Sequence, residues 1–288
     1  MGSAKRSWQL DKRNLNRIPA DVLHDKRADS LSLFQNALTE LPDELWTLTA
    51  LTSLNLGDNK IARLPDAIGN LTGLQMLDLG HNLLTSLPDS MGRLAGLSDF
   101  LYLSHNQLIA LPETLGNLSQ LAYLNASDNQ LIALHDSIGA MKGLLELRLY
   151  NNQLASLPDS ICALENLREL HAQQNQLSHL PANIGALANL RELDLADNQL
   201  TALPQSIGNL AQLRRLNLRN NAITTPPPTL GNLRQLTHLD LRANPLRLLP
   251  AGIADIPTLE KLDLRWCGLD EVPSWVARLK ARGVVVYL

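Results

Sequence analysis

The apolar and polar positions of the chain repeat with a period of 23 residues, and residues 190–212 are one complete copy. Counted from Leu190, positions 1, 4 and 6 are leucines separated by polar residues, which predicts a strand with one buried edge. Position 9 is Asn198. Apolar residues then recur at positions 11, 14, 18 and 21, with the spacing of a helical turn, and Pro204 at position 15 suits the first residue of that turn.

One such coil cannot bury its own apolar edge, so the copies must stack. Stacked strands form a parallel ladder with a spacing of about 4.8 Å. The bulkier turns lie on the other side, and the stack should therefore bend with its strands on the concave face. The asparagine at position 9 can bond buried loop backbone of neighbouring coils. Ten complete coils begin at Ala28, Leu51, Leu74, Leu97, Leu121, Leu144, Leu167, Leu190, Leu213 and Leu236.

The pattern LxxLxLxxNxL followed by LxxLPxxIGxL resembles the leucine-rich repeat family. The 23-residue form is similar to repeats of Ras-suppressor, Scribble-type and plant intracellular Ras-group proteins and of some bacterial proteins. This resemblance covers nearly the whole chain. It implies an α/β fold, a curved solenoid (a horseshoe arc) with a parallel sheet on the concave face and short helices or 3-10 turns on the convex face. It also implies a non-catalytic protein-interaction module of the kind that serves as a scaffold in signalling.

The unbroken asparagine column predicts a single solenoid over residues 1–288. Residues 1–27 are interpreted as an N-terminal cap with a degenerate coil, because Arg13 stands in the asparagine slot. Residues 28–258 hold the ten repeats.

Residues 259–288 hold a last repeat and a C-terminal cap. Cys267 takes the asparagine slot of that repeat, where a structural role is expected for it. A helix is predicted over residues 274–282. The β-branched run at residues 284–288 should pair with the sheet edge that would otherwise be open.

Several coils depart from the pattern, two of them by an alanine, Ala126 or Ala172, in place of the leucine at position 6. The coil that begins at Leu97 has one extra residue, which predicts a bulge near Asp99 and Phe100. His135 replaces a turn proline, and three prolines at 226–228 should stiffen and reshape one turn. Drift in a tolerant repeat is the alternative explanation for these departures.

Composition and charge exclude several classes of function. The 288 residues are 45% hydrophobic and only 3% aromatic, so the core must be mostly leucine. A net charge of −3 argues against a general nucleic-acid binder. The sequence contains no apolar run of the kind that would predict a signal peptide or insertion into a membrane. Cys162 and Cys267 lie five coils apart, too distant for a disulfide. We therefore expect a cytoplasmic monomer, or a protein delivered to a host cell if the chain is a bacterial effector.

Candidate chemistry lies at positions 2, 3, 5, 7 and 8, whose side chains should point out of the concave face. Tyr102, Tyr123 and Tyr150 fall there on three successive coils, and Phe100 joins them if the bulge permits. Exposed aromatic residues in so aromatic-poor a chain are typical of contact anchors. The predicted partner-binding residues are Met76, Asp78, Tyr102, Tyr123, Asn125, Glu146, Arg148, Tyr150, Glu169 and His171.

The charge is segregated along the chain. Residues 1–27 carry +4, residues 28–212 carry −12 and residues 213–288 carry +5. The acidic, tyrosine-bearing middle favours a protein or peptide partner of basic or mixed charge. An acidic face that merely solvates the protein is the alternative.

Two further readings remain open. Asp58, His81, His105 and Asp128 share position 8 on successive coils and are candidate zinc ligands, although a flat ladder rarely converges on a tetrahedral point. A bacterial effector or regulator that targets host or signalling proteins is the alternative within binding. An enzyme is disfavoured, because neither cysteine lies in a C-x-D motif and no phosphate loop, nucleophile elbow or HExxH is present. No cofactor is implied.

Overall fold

The structure, a computed structural model, describes residues 6–269 and 271–288. It consists of two compact units, Met1–Leu144 and Leu145–Leu288. The first five residues of the predicted N-terminal cap and Asp270 of the predicted C-terminal segment lie outside the described residues. The prediction that residues 1–288 form one solenoid remains a prediction.

The first unit contains a parallel sheet in which each strand pairs with its successor in the chain. The strands are β1 (Arg6–Gln9), β2 (Ala28–Ser32), β3 (Ser53–Asn55), β4 (Met76–Asp78), β5 (Phe100–Tyr102) and β6 (Tyr123–Asn125). Each strand from β2 onward contains the leucine of repeat position 4, and this leucine is completely buried. Burial of each such side chain contributes about 1.5–3 kcal/mol, so this column is the core of the unit.

Short turns connect the strands of the first unit. A helix, α1 (Ala20–His24), precedes β2. The later turns are 3-10 helices at Asp43–Thr47, Asp66–Asn70, Asp89–Arg93, Glu113–Asn117 and Asp136–Ala140. Pro65, Pro88 and Pro112 precede these turns as extended cap residues, whereas the sequence pattern predicted a proline at the first turn position. The cap position lets the proline carbonyl accept the first hydrogen bond of the turn, as from Ile68 to Pro65 at 3.1 Å.

The second unit repeats this plan. Its parallel strands are β7 (Glu146–Arg148), β8 (Glu169–His171), β9 (Glu192–Asp194), β10 (Arg215–Asn217), β11 (His238–Asp240), β12 (Lys261–Asp263) and β13 (Val285–Tyr287). Strand β13 pairs with β12, as the β-branched run predicted. Helix α2 (Val276–Ala281) lies within the span predicted for it and buries Val276 and Leu279.

The turns of the second unit are 3-10 helices at Asp159–Ala163, Ile184–Ala186, Gln205–Asn209, Pro228–Asn232 and Ala251–Asp255. The triple proline does not reshape its turn, because Pro227 takes the usual cap position and Pro228 begins a normal turn. The shortest turn, Ile184–Ala186, lies in the coil that follows the one containing Cys162. Cys162 takes the repeat position that is held by Gly208 in a later coil. A Cβ atom at Gly208 would lie 2.3 Å from the Thr229 carbonyl oxygen of the next turn, so a side chain in this slot displaces the turn stacked on it.

The asparagine column bonds the backbone of adjacent coils, as predicted. The Asn82 side-chain nitrogen donates to the carbonyls of Leu56 at 3.0 Å and Leu79 at 3.1 Å, and its oxygen accepts from the Ile61 N–H at 3.0 Å. Cys267 keeps the long-range contact, with its sulfur 3.1 Å from the Leu241 carbonyl oxygen. In each unit the predicted fold class is therefore confirmed: a leucine-cored α/β solenoid with a parallel sheet on one side and short turns on the other.

Candidate partner-binding surface

The side chains at positions 3 and 5 flank the buried leucine of each strand and point to the opposite side of the sheet. We call this side the strand face. In the first unit it includes Met76 and Asp78 on β4 and Phe100 and Tyr102 on β5, all partly or largely exposed. The strand face is therefore where the sequence-predicted binding residues are displayed.

The side chain at position 5 forms a hydrogen bond with the loop that follows the strand, which the repeat pattern did not reveal. The Asp78 carboxylate accepts a hydrogen bond from the Gly80 N–H at 2.9 Å, and Asn55 accepts from Gly57 at 2.8 Å. This bond from the residue two places later orders the loop after the strand. It recurs in the described coils at Asn55, Asp78, Asn125, Asp194, Asn217, Asp240 and Asp263.

Position 8 is constrained by its backbone. Its residues have φ between +52° and +58°, as at Asp58, His81, His105 and Asp128. Asn, Asp and His are the non-glycine residues enriched in this left-handed conformation. The backbone therefore accounts for the residue types that suggested a zinc site.

The four zinc candidates show other contacts. The His81 and His105 rings stack with centroids 4.0 Å apart, and His105 Nδ1 lies 3.5 Å from the Asp128 carboxylate. In the described part of the chain, three potential metal ligands come within 4.8 Å of one another at Glu146, Glu169 and His171. His171 Nε2 lies 3.2 Å from Glu169, and Glu146 is paired with Arg148, so these side chains already satisfy one another.

Three aromatic rings form one cluster on the strand face of the first unit. The ring centroids lie 5.7 Å apart for Phe100 and Tyr102, 5.7 Å for Phe100 and Tyr123, and 5.2 Å for Tyr102 and Tyr123. The extra residue of this coil is absorbed before β5. In regular coils two successive N–H groups share one carbonyl of the preceding coil, as Arg168 and Glu169 share that of Leu145, whereas Ala122 and Tyr123 donate to two carbonyls, those of Ser98 and Asp99. Phe100 therefore comes into register with Met76 and Tyr123, and sequence reasoning had left its position open.

Two other predicted binding residues of the first unit, Asn125 and Asp78, accept hydrogen bonds from the loops that follow their strands. Asn125 is 8% exposed, and its oxygen accepts from both the N–H and the hydroxyl of Ser127. It therefore offers a partner little surface. Burial raises the pKa of the Asp78 carboxyl, although the Gly80 N–H and His81 act in the opposite direction. Asp78 remains partly exposed beside Tyr102, with which it is in register.

The predicted residues of the second unit are mostly charged. Glu146 accepts a hydrogen bond from Arg148 Nε at 2.5 Å, and Glu146 is in register with Glu169. Tyr150 follows β7 and is partly exposed. Here the strand face offers paired charges, whereas the first unit offers an aromatic cluster.

Sequence reasoning missed a buried ion network near the end of the second unit. Asp263 is fully buried, 2.7 Å from Arg265 Nη2 and 3.5 Å from Arg242 Nε. Burial alone would raise the pKa of the Asp263 carboxyl, but hydrogen bonds from Arg265 and the charges of both arginines lower it overall. The carboxylate therefore stays ionised and holds both guanidinium groups in place.

The cysteines of the second unit are both free thiols, as predicted. Burial raises the pKa of the Cys162 and Cys267 thiols, and nearby carboxylates reinforce the shift. Both groups are thereby kept protonated and weakly nucleophilic. No helix in the described ranges is long and apolar enough to cross a lipid bilayer.

Known structures resemble the chain over most of its length. A leucine-rich repeat protein of Leptospira interrogans matches with a TM-score of 0.88 and 30% identity, over 96% of this chain and 76% of that one. The plant peptide hormone receptor RGFR1 in complex with RGF2 matches with a TM-score of 0.73 and 27% identity, over 94% of this chain and 49% of the receptor. The Drosophila Toll–Spätzle complex matches with a TM-score of 0.72 and 27% identity, over 86% of this chain and 34% of the matched chain.

No curated protein sequence matches the chain. Proteins of this fold are often modules that bind protein or peptide partners, as the two complexes illustrate. A family model described as a leucine-rich repeat region matches residues 31–126, 102–218 and 160–241, which together span most of the sequence. The chain therefore belongs to the leucine-rich repeat family.

Proposed function

We propose that this protein is a non-catalytic interaction module that binds a protein or peptide segment on the strand face of its first unit. The observation that carries the proposal is the contact cluster of Phe100, Tyr102 and Tyr123. Aromatic side chains are 3% of the chain, yet three of them meet on adjacent strands, and Phe100 is 41% exposed. Aromatic anchors contribute much of the affinity of protein interfaces.

The surroundings of the cluster indicate the chemistry of the partner. Met76 lies in register with Phe100 and adds an adaptable apolar surface. Asp78 and the exposed Asp99 add negative charge at its border. An apolar or aromatic side chain of the partner would pack on the rings, and Lys or Arg residues beside it would face the carboxylates. The proposed partner segment is therefore basic or of mixed charge.

Paired truncations test this proposal. Phe100→Ala combined with Tyr123→Ala should weaken partner binding by several hundredfold or more, because each anchor contributes roughly 2 kcal/mol or more, or about 30-fold. The wild-type and variant proteins are immobilised and exposed to extract from the native source, and captured proteins are quantified by mass spectrometry. The melting temperature of each variant is measured in parallel.

The matched control lies on the turn side of the same coil. Asn117→Ala combined with Gln120→Ala removes two exposed side chains and should leave capture unchanged, since surface changes usually alter stability by no more than about 0.5 kcal/mol. Capture that is lost in the control and retained in the aromatic variant would place the working surface on the turns. Release of a modified small molecule during incubation would instead favour an enzyme.

We further propose that the protein acts as a monomer in the reducing environment of the cytoplasm. The two cysteines are unpaired, which is the usual state of thiols in a reducing compartment. Light scattering after gel filtration and antibody detection in cell fractions test the two parts separately. Recovery in a host-cell fraction would favour the effector alternative.

A further inference from the structure

The strand face of the second unit carries an exposed tryptophan in an unfavourable backbone conformation. Trp266 has φ +58°, a left-handed conformation that is strained for a bulky residue. Its side chain is 75% exposed, so little burial offsets the strain. In the three preceding coils the same position holds Asp197, Asn220 and Ala243. A strained, exposed aromatic residue is typical of a contact made with another molecule.

The aromatic rings here already hold cations of the protein itself. The Arg265 guanidinium carbon lies 5.5 Å from the Trp266 ring centroid and 4.9 Å from that of Tyr287. Lys261 Nζ lies 5.3 Å from the Tyr287 ring. Cation–π attraction is thus satisfied internally. A cationic ligand would compete with these groups, whereas an anionic ligand would meet N–H donors that the rings hold in place.

The charge balance at this surface also favours an anion. The carboxylates of Asp240 and Asp263 are engaged by Arg242 and Arg265, so these four charges offset one another. Lys261 makes no ion pair with any described residue, and its Nζ lies 5.3 Å from the Tyr287 ring centroid. The positive charge of Lys261 is therefore available to a partner.

A cavity of about 180 Å³ adjoins Lys261 on the same face. One side of it is formed by Arg215, His238 and Lys261, which are in register at position 3 of β10, β11 and β12. Glu192, Asp194 and Asp240 also line the cavity, and Arg215 Nη1 lies 3.6 Å from Glu192, so Lys261 is the cation of this row that has no carboxylate partner among the described residues. Neighbouring strands lie about 4.8 Å apart, so the row spans roughly 10 Å, or about three residues of an extended peptide. An extended chain laid along the row could place carboxylates on alternate residues against it.

We propose that Arg215, His238, Lys261, Trp266 and Tyr287 form a second binding surface, specific for an extended acidic peptide segment that also carries aromatic side chains. The carboxylates face the basic row, and the aromatic side chain packs on Trp266. This surface goes beyond the proposed function, because it lies in the other unit, has the opposite charge preference, and stands if the cluster around Phe100 binds nothing.

The test uses labelled peptides and fluorescence anisotropy with the full chain. The probe is an amidated, fluorescein-labelled EEFEEFEE peptide, and its matched forms are QQFQQFQQ and KKFKKFKK. The acidic peptide should bind at least about tenfold more tightly than the neutral form, whereas the basic form is expected at the cluster around Phe100 and should lose its binding in Phe100→Ala. Lys261→Gln and Trp266→Gly should each weaken binding of the acidic peptide about tenfold, whereas Phe100→Ala should leave it unchanged.

A stability measurement separates recognition from folding. Trp266→Gly should raise the melting temperature while it weakens binding, because glycine accepts the left-handed conformation. Ala243→Gly is the matched control at the same position of the preceding coil, and it should raise the melting temperature without affecting binding. The proposal is overturned if the neutral and acidic peptides bind equally, if inorganic phosphate at millimolar concentration displaces the acidic peptide completely, or if Phe100→Ala abolishes binding of the acidic peptide.

Discussion

Replacement of a buried asparagine tests how the coils are held together. Asn82 donates to three carbonyls, those of Leu56, Leu79 and Gly80, and accepts from the Ile61 N–H of the preceding coil. In Asn82→Leu the Ile61 N–H loses its acceptor in a dry site, at a cost of about 1–3 kcal/mol, and the lost bonds to the carbonyls add roughly 1 kcal/mol. We therefore expect a loss of about 2–4 kcal/mol of unfolding free energy.

The last coil predicts what a partial replacement would do. Cys267 is tolerated in the asparagine slot because the Leu246 N–H, which an asparagine would have bonded, instead donates to the backbone carbonyls of Asn244 at 2.8 Å and Cys267 at 3.0 Å. No such backbone bond is found for Ile61, whose N–H bonds to Asn82. Asn82→Cys should therefore be nearly as destabilising as Asn82→Leu.

Urea unfolding followed by circular dichroism measures both variants, with Gln107→Ala as the control at an exposed position of the next coil. The comparison requires equal m-values, because a repeat protein can unfold in stages. A loss for Asn82→Leu within about 0.5 kcal/mol of the control would refute the account of the asparagine column.

Three further predictions concern the second unit. Gly208→Ala should lose about 1–3 kcal/mol from the clash with the Thr229 carbonyl, whereas Gly252→Ala, with its nearest contact at 3.4 Å, should cost much less in the same urea assay. Asp263→Asn should lose up to about 3 kcal/mol at pH 7. Because the pKa of Asp263 is lowered in the folded state, this difference should begin to shrink as the pH falls below about 4, where Asp263 of the unfolded wild-type chain is protonated, and should disappear only below the lowered folded-state pKa; a constant difference would refute it. Deletion of residues 283–288 should expose the edge of β12 and cause aggregation in light scattering, and a deletion variant that remains monomeric would show that β13 does not protect this edge.

The fold could be predicted from the sequence because its determinants repeat. Leucine at positions 1, 4 and 6 and asparagine at position 9 recur often enough to fix strand, loop and turn, and the β-branched run after Gly283 predicted β13. Single departures were harder to interpret. His135 appeared as drift, yet it caps its turn by accepting a hydrogen bond from the Ser137 N–H at 3.1 Å.

The contacts within the candidate site were harder to predict from the sequence. The 23-residue period shows which face a side chain lies on, but not which other side chains it touches. The sequence placed Tyr102 and Tyr123 on the strand face, but the place of Phe100 depended on where the extra residue of its coil is absorbed. The ion network at Asp263 was also invisible, since an aspartate at position 5 is common in this chain and its burial depends on Arg242 and Arg265.

Position 3 is where the strand face is least constrained by the fold. Position 5 is often committed to the hydrogen bond that orders the loop, as at Asp78, and position 8 must accept a positive φ. Position 3 is subject to neither constraint, and its residue type changes from one group of consecutive coils to the next. It is apolar or aromatic at Met76, Phe100 and Tyr123, acidic at Glu146, Glu169 and Glu192, and basic or imidazole at Arg215, His238 and Lys261. Leucine packing requires no such order, since each of these side chains points away from the core. We propose that recognition by partners with matching blocks of residues accounts for this order. If so, exchanging position 3 between coils should alter binding specificity while leaving the fold intact.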